Sequence, residues 1–293
     1  MPHLDNTTNA EVVKITEMEN TGIHSTSISH TAIGYILSGE KYIYNNDRCT
    51  VIKAGSIFIL GAGHHYEENS TASSGRFEQI IFYLSSEQLQ QAIYNLNINY
   101  GLTYTSHHIC DMCNTFNFAH EVANDNLRNF FIGINLSLKC SGFTHNDIGH
   151  RIKINELIFL LLSSNDGCMR RKLLSAADAE CEQFIHTIYQ NLFSNISIER
   201  LAELTNRSLT SFKKEFRRIF HAPPHRWIIT QRLARAKIML ISTSKTVSEV
   251  GVECGFTNIS HFIKLFKQHF KITPAVLRQD SISKDAREQY RTK

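Results

Sequence analysis

Phe212, Phe216, Phe220, Pro224 and Trp227 recur fifty residues later as Phe262, Phe266, Phe270, Pro274 and Leu277, with Arg217 matched by Lys267 and His221 by Lys271. An internal repeat constrains a chain strongly, because each copy must bury the same face in the same way. Before each block stands a short amphipathic segment, 198–205 (IERLAELT) and 247–254 (VSEVGVEC), and after each segment a polar turn, 206–208 (NRS) and 255–258 (GFTN). In the first copy Ile198, Leu201, Ala202 and Leu204 form a docking face. Ser208 and Asn258 are suited to accept the orphan N–H groups that open the next helix. That helix carries Leu209, Phe212, Phe216 and Ile219 as an apolar stripe, repeated as Ile259, Phe262 and Phe266, and both stripes are assigned to the core. The opposite faces present Thr210, Lys213, Lys214 and Arg217 in one copy, and Ser260, His261, Lys264 and Lys267 in the other.

Docking helix, turn and polar-faced second helix, written twice, is the pattern of two helix-turn-helix units. Charge points the same way. Residues 1–177 hold 12 Lys and Arg against 16 Asp and Glu, a net −4, whereas residues 178–293 hold 19 against 11, a net +8. A basic half carrying two polar-faced helices fits a polyanion, and helices of this kind enter the major groove with their early residues at the base edges. Between the units, Pro224 suits a first helical turn. From there Trp227, Leu233, Ala236 and Leu240 continue a helical pattern free of interior Gly or Pro, a rod of about 25 Å over about 17 residues. Successive major-groove faces lie about 34 Å apart. One chain could therefore present recognition helices 208–220 and 258–270 to two adjacent grooves.

Arg232-Leu233-x-x-Ala236-x-x-x-Leu240, Val247-Ser-Glu-Val, Gly255-Phe256-x-x-x-Ser260-x-Phe262-x-x-x-Phe266-Lys267 and Thr273-Pro274-x-x-x-Arg278 together resemble the signature of AraC/XylS-type transcription regulators over about residues 178–279. The resemblance implies base and phosphate contacts at Thr210, Lys213, Lys214, Arg217, Ser260, His261, Ile263, Lys264 and Lys267. Four positions depart from the family pattern. His221 and Lys271 replace a glycine usual in the turn after each recognition helix. Gly251 replaces a small alanine, at about 1 kcal/mol of helix stability. Ile263 can touch a thymine methyl but donates no hydrogen bond.

Residues 31–84 alternate apolar runs with tight turns. The runs are 32–37, 42–44, 49–52, 57–60 and 77–84, and residues 67–75 (EENSTASSG) read as a polar, mobile loop. Short strands at this spacing suggest a small antiparallel barrel or sandwich; the resemblance implies a cupin-like or jelly-roll barrel followed by dimerising helices. Helical patterns follow at 88–96, 127–138 and 148–162. The last is apolar at Ile152, Ile154, Leu157, Leu160 and Leu161, read both as core and, at Ile154, Leu157 and Leu161, as a dimer face. The expected fold is thus α+β and multidomain, with an N-terminal barrel and helices followed by an all-α pair of helix-turn-helix units joined by a linker helix. A cupin-like sensor domain spans 1–163 (barrel about 25–84, helices about 85–163), a linker 164–177, the DNA-binding domain 178–279 and a basic, disordered tail 280–293.

A barrel also admits a metal-dependent, cupin-type enzyme carrying a DNA-binding appendage. His64, His65, Glu67 and Glu68 are the candidate strand ligands, but adjacent residues of a strand face opposite ways. Cys110 and Cys113, with His107, His108 and His120 nearby, could supply thiolate and imidazole to zinc. No second C-x-x-C or H-x-x-x-H completes that set, so neither metal nor cofactor is expected. Seven scattered cysteines suggest no disulfide framework and point to a reducing cytoplasm. No apolar run reaches the roughly 18–20 residues of a membrane span, and residues 1–6 (MPHLDN) lack the features of a secretory signal. The function expected is therefore an activator rather than an enzyme. Its partners would be double-stranded promoter DNA, RNA polymerase, a second copy of the chain, and a small-molecule effector or regulatory protein at the N-terminal domain. The effector and the target genes are not encoded in any motif.

Overall fold

The computed structural model describes residues 12–45, 48–73, 75–105, 108, 110, 117–139, 147–164 and 167–282. Nine strands come first among them: β1 (Val12–Glu17), β2 (His24–Ile28), β3 (Thr31–Ser38), β4 (Glu40–Asn45), β5 (Arg48–Lys53), β6 (Ser56–Leu60), β7 (Gly63–Ser70), β8 (Phe77–Leu84) and, after helix α1 (Ser86–Tyr100), β9 (Phe118–Val122). They form two antiparallel sheets, β1-β8-β3-β6-β9 and β2-β7-β4-β5. No described strand is shared between the sheets, so of the antiparallel barrel or sandwich expected from the sequence the structure forms an open two-sheet sandwich.

Strand alternation builds two cores from one sheet. Ala32, Ile36, Phe58, Leu60, Phe77 and Ile81 point inward and meet Ile28, Ile43 and Ile52 of the facing sheet. Ile33, Tyr35, Ile57, Ile59, Ile80 and Phe82 point outward. That outer face is covered by α1, α2 (Asp125–Lys139), α3 (Asp147–Leu162) and α4 (Gly167–Ala176), through Leu89, Phe130, Phe131, Leu157 and Leu173 among others. Burial on both faces is why residues 57–60 read as an unbroken apolar run. Ile154, Leu157 and Leu161 are all buried in this intrachain core. The large hydrophobic residues of α3 that remain exposed are Ile148, Ile152 and Phe159.

The first four residues of the stretch expected as a mobile polar loop, 67–70, instead end strand β7, hydrogen-bonded between β2 and β4. Its polar side chains are matched across strands. Lys41 Nζ, only 1% exposed, lies 2.7 Å from Glu67 Oε2 and donates to Asn69 Oδ1 at 3.1 Å, while Thr26 Oγ1 donates to Glu67 Oε1 at 2.9 Å. Burial by itself would raise the Glu67 carboxyl, but the Lys41 ammonium, with hydrogen bonds from His24 and Lys41, holds it far below the usual carboxylate range. On the outer side Tyr44 donates to Glu68 at 2.6 Å. His64 and His65 diverge as strand neighbours must. His65 is buried with Nε2 2.7 Å from the Gly61 carbonyl oxygen, while His64 turns out toward Phe193, with ring centroids 5.3 Å apart.

The segment read as a linker contains α4, whose Met169 and Leu173 belong to the N-terminal core. Then come α5 (Ala179–Gln190), α6 (Ile198–Leu204), α7 (Leu209–Phe220), α8 (Pro224–Ser242), α9 (Val247–Glu253), α10 (Ile259–Phe270) and α11 (Pro274–Ile282). Two small cores hold them. Phe184, Ile188, Leu201, Ala202, Phe212, Phe216 and Ile228 make the first; Leu233, Ala236, Leu240, Val250, Phe256, Phe262 and Phe266 make the second. Helix α8 contributes to both. Among the described residues no helix is long and apolar enough to cross a membrane.

Candidate nucleic-acid interface

Helices α7 and α10 start alike. Ser208 Oγ accepts the Ser211 N–H at 3.3 Å, and Asn258 Oδ1 accepts the His261 N–H at 2.9 Å. The docking helices are capped similarly, by Ser197 Oγ on Arg200 N–H and by Thr246 in a reciprocal capping box with Glu249. Each cap fixes where a recognition helix begins, and therefore which side chains occupy its first two turns.

Thr210, Lys213, Lys214, Arg217, Ser260, His261, Ile263, Lys264 and Lys267 are all exposed, on the sides of α7 and α10 opposite the buried Phe212, Phe216, Phe262 and Phe266. Ile263 is 36% exposed, an apolar contact between cationic neighbours. None of the five Lys and Arg in that set forms an ion pair with a described residue, whereas nearby charges are engaged locally. Arg218 is bidentate on Glu215, at 2.7 and 3.0 Å, Arg200 pairs with Glu203 and Lys245 with Glu253. Arg207 stacks over Phe184 and donates to the Thr205 carbonyl. A surface left with uncompensated cations on one helix face is chemically suited to phosphate.

Departures from the family pattern at His221, Lys271 and Gly251 have local consequences. His221 (φ 53°) and Lys271 (φ 65°) both close their helices in the left-handed region, where a side chain is strained and glycine is not. At Gly251 an added Cβ would lie 2.9 Å from Ile259 Cδ1 and 3.0 Å from Phe262 Cδ1, so glycine lets α9 sit closer to α10 than alanine would.

Arg232, a signature residue, points away from the recognition faces. From α8 it donates Nε to Leu192 O (2.8 Å), Nη2 to Ser194 O (2.6 Å) and Nη1 to Gly255 O (2.8 Å), joining the loop after α5 to the turn of the second unit. Gly255, at φ 83°, lies where a Cβ would be 2.7 Å from the Phe193 carbonyl oxygen. Arg278 ties α11 to the carbonyls of Thr243 and Lys245 in the same manner. Arg232 thus ties the two units together, and Arg278 closes the second.

The N-terminal domain reaches this assembly through the outer face of its four-stranded sheet, where Tyr42 and Tyr44 pack with Ile238 of α8. Sequence reasoning missed that contact and the pairing of His64 with Phe193, because neither leaves a local spacing. It also named Cys110 and Cys113 as a possible metal pair. Cys113 lies outside the described residues, and the neighbours of Cys110 are His108 and Cys168.

Comparison with known proteins agrees with this geometry. A profile described as "Helix-turn-helix domain" matches residues 201–280, and one described as "ExsA N-terminal regulatory domain" matches residues 31–170. The HTH-type transcriptional regulator GbdR of Pseudomonas aeruginosa is 29% identical over 109 residues, 37% of this chain and 30% of GbdR. The virulence regulon transcriptional activator VirF of Yersinia enterocolitica is 24% identical over 137 residues, 45% of this chain and 49% of VirF. The chain thus spans between about a third and a half of the length of these curated relatives. Among solved structures, an apo ToxT variant from Vibrio cholerae aligns with 91% of this chain and 96% of its own at 12% identity and a TM-score of 0.48. With tandem helix-turn-helix units behind a region matched as a regulatory domain, the chain carries an AraC-type helix-turn-helix domain and an ExsA-type N-terminal regulatory domain, the two parts found in AraC-family transcription regulators.

Proposed function

We propose that this chain activates transcription by binding specific promoter DNA, with α7 and α10 in adjacent major grooves and a signal received by the N-terminal domain controlling that act. One observation carries the reading: two capped helices in tandem, each seated on its own phenylalanine core, turn uncompensated lysines and arginine to solvent. The spacing is suitable. Helix α8 has 19 residues, about 28 Å, against the roughly 34 Å between successive groove faces. Lys213, Lys214, Arg217, Lys264 and Lys267 would neutralise phosphates and release counterions. Thr210, Ser260, His261 and Ile263 would reach base edges and choose among sites. RNA polymerase would be met by the bound regulator in the cytoplasm, and a second copy by the exposed residues of α3. The contact of Tyr42 and Tyr44 with Ile238 gives a small-molecule or protein signal at the N-terminal domain a physical route to α8.

Titration of a promoter fragment with the protein at several salt concentrations tests the proposal. Affinity should fall steeply with salt, and Lys214→Ala should weaken binding; salt-insensitive binding, or none, would refute it. The enzyme alternative is disfavoured by the sandwich interior, where His65 is engaged with Gly61 and the Lys41–Glu67 pair occupies the space between the sheets. It would return if metal bound stoichiometrically and were lost on replacing His65 or Glu67.

A further inference from the structure

Away from the DNA-binding face, three soft ligand atoms converge. His108 Nε2 is 3.1 Å from Cys168 Sγ, Cys110 Sγ is 3.6 Å from Cys168 Sγ, and all three atoms lie within 4.8 Å of one another in half-buried positions. The two sulfurs are far outside disulfide length, about 2.05 Å. Their spacing is instead close to the tetrahedral edge set by two zinc–sulfur bonds of about 2.3 Å, which is about 3.8 Å. An imidazole nitrogen about 2.0 Å from the same ion would stand about 3.5 Å from each sulfur. The two edges that meet at Cys168, 3.1 and 3.6 Å, are thus near those of one face of a zinc-sized tetrahedron, and the third is within 4.8 Å.

The surroundings hold them there. Arg171 of α4 donates Nη1 to the His108 carbonyl oxygen at 2.7 Å, fastening that segment to the helix. Gly167 leaves room for the imidazole, since a Cβ there would stand 2.7 Å from the His108 ring. Cys168 lies in the first turn of α4, so its backbone is fixed by that helix.

We propose that His108, Cys110 and Cys168 bind one thiophilic divalent cation of the zinc class, with solvent completing the coordination. Both thiols give up a proton to solvent as the metal binds, so two thiolates balance the dication and the imidazole binds neutral. The metal would bridge the segment after α1 to the start of α4. That helix packs Met169 and Leu173 into the N-terminal core, and its Arg171 and Lys172 act electrostatically on His221 at the end of α7. Occupancy would thus bear on the helix that joins the regulatory domain to the first DNA-binding unit. The proposal is independent of which promoter the chain reads.

The test uses the full chain, reduced and stripped of metal, titrated with Co2+ and then Zn2+. One equivalent of Co2+ should give a thiolate-to-cobalt charge-transfer band, bleached by Zn2+. Cys168→Ser and Cys110→Ser should each lower affinity at least about 100-fold, beyond the 10–100-fold typical of losing a mere supporting residue; Cys49→Ser should leave it unchanged. Because a variant could fail to fold, the wild-type chain is also alkylated with and without Zn2+. Zinc should protect Cys110 and Cys168 and not Cys49. The proposal is overturned by the absence of stoichiometric binding, by a band that survives in Cys168→Ser, or by protection of neither cysteine. A Cys110–Cys168 disulfide that forms in place of metal binding under reducing conditions overturns it equally.

Discussion

Replacing Arg232 with lysine isolates what holds the tandem units together. The guanidinium serves three carbonyl oxygens, those of Leu192, Ser194 and Gly255, from three different nitrogens. A lysine ammonium keeps the charge but offers a single nitrogen, which cannot stand in all three places. At least two charge-assisted hydrogen bonds are lost, each contributing about 1.5–3 kcal/mol. Because the site is only half-buried, water can reach some of the released carbonyls, which brings the expected loss to about 2–4 kcal/mol. Trp227 is the chain's single tryptophan and lies in the first unit's aromatic cluster, 4.3 Å from the Phe220 ring centroid, so its fluorescence reports unfolding of this half alone. With a urea slope of about 1–3 kcal/mol per molar, the midpoint should fall by about 1 M or more. DNA binding should respond unevenly: affinity for a fragment with both half-sites drops, while affinity for a single half-site is retained. A midpoint change worth under about 1 kcal/mol, with two-site affinity intact, would refute the view that this residue sets the units in register.

Three further outcomes are expected. His221→Gly relieves a left-handed residue that costs about 1–2 kcal/mol, against about 0.5–1 kcal/mol of added chain entropy, so thermal unfolding of the C-terminal half should move upward by the equivalent of about 0.5–1 kcal/mol; a downward shift contradicts the strain argument. Lys264→Ala should reduce promoter affinity about equally on related sequences and flatten the log–log salt dependence by about one unit, and an unchanged slope would show that this lysine meets no phosphate. Glu67→Gln leaves the Lys41 ammonium buried without its counter-ion and should destabilise the N-terminal domain by about 3–5 kcal/mol at neutral pH. Glu67 ionises in the folded state well below the ordinary 4.5, so its contribution is complete above that value and is lost as pH falls through it toward the lowered folded pKa; the variant's unfolding profile should lack that acid limb, and a profile parallel to wild type would count against the pair.

The C-terminal half was legible because its information is local and duplicated. The apolar positions recur at helical spacing, Ser208 and Asn258 cap within three residues, and the two copies check each other. In the N-terminal half the strands with apolar runs, β3 to β6 and β8, and the helices α1 to α3 were legible. Strand β7 reads GHHYEENS, a polar string, since the partners that make it a strand are Lys41, Tyr44 and Thr26 on other strands. Helix α4 looked like a linker because its fully buried residues are just Met169 and Leu173, one turn apart among basic neighbours. Cys168 could not be joined to Cys110 from the sequence for the same reason: 58 residues separate them, and no spacing rule bridges that distance.

Helix α8 shows what the repeat alone could not convey. Its Ile228 belongs to the first unit's core and its Leu233, Ala236 and Leu240 to the second, which two facing units already require. Ile238 is left over by that account, and it is buried against Tyr42 and Tyr44 of the N-terminal sheet. A helix apolar on several sides is one that packs on several sides, and α8 has neither proline nor glycine in its interior at which to kink. Any displacement of the four-stranded sheet must therefore either break the contact at Ile238 or move α8 as a body. In the second case the two recognition helices move with it, because both are seated on cores to which α8 contributes. Regulation by the N-terminal domain then needs no contact of its own with DNA: it needs only to change how firmly Tyr42 and Tyr44 grip one isoleucine.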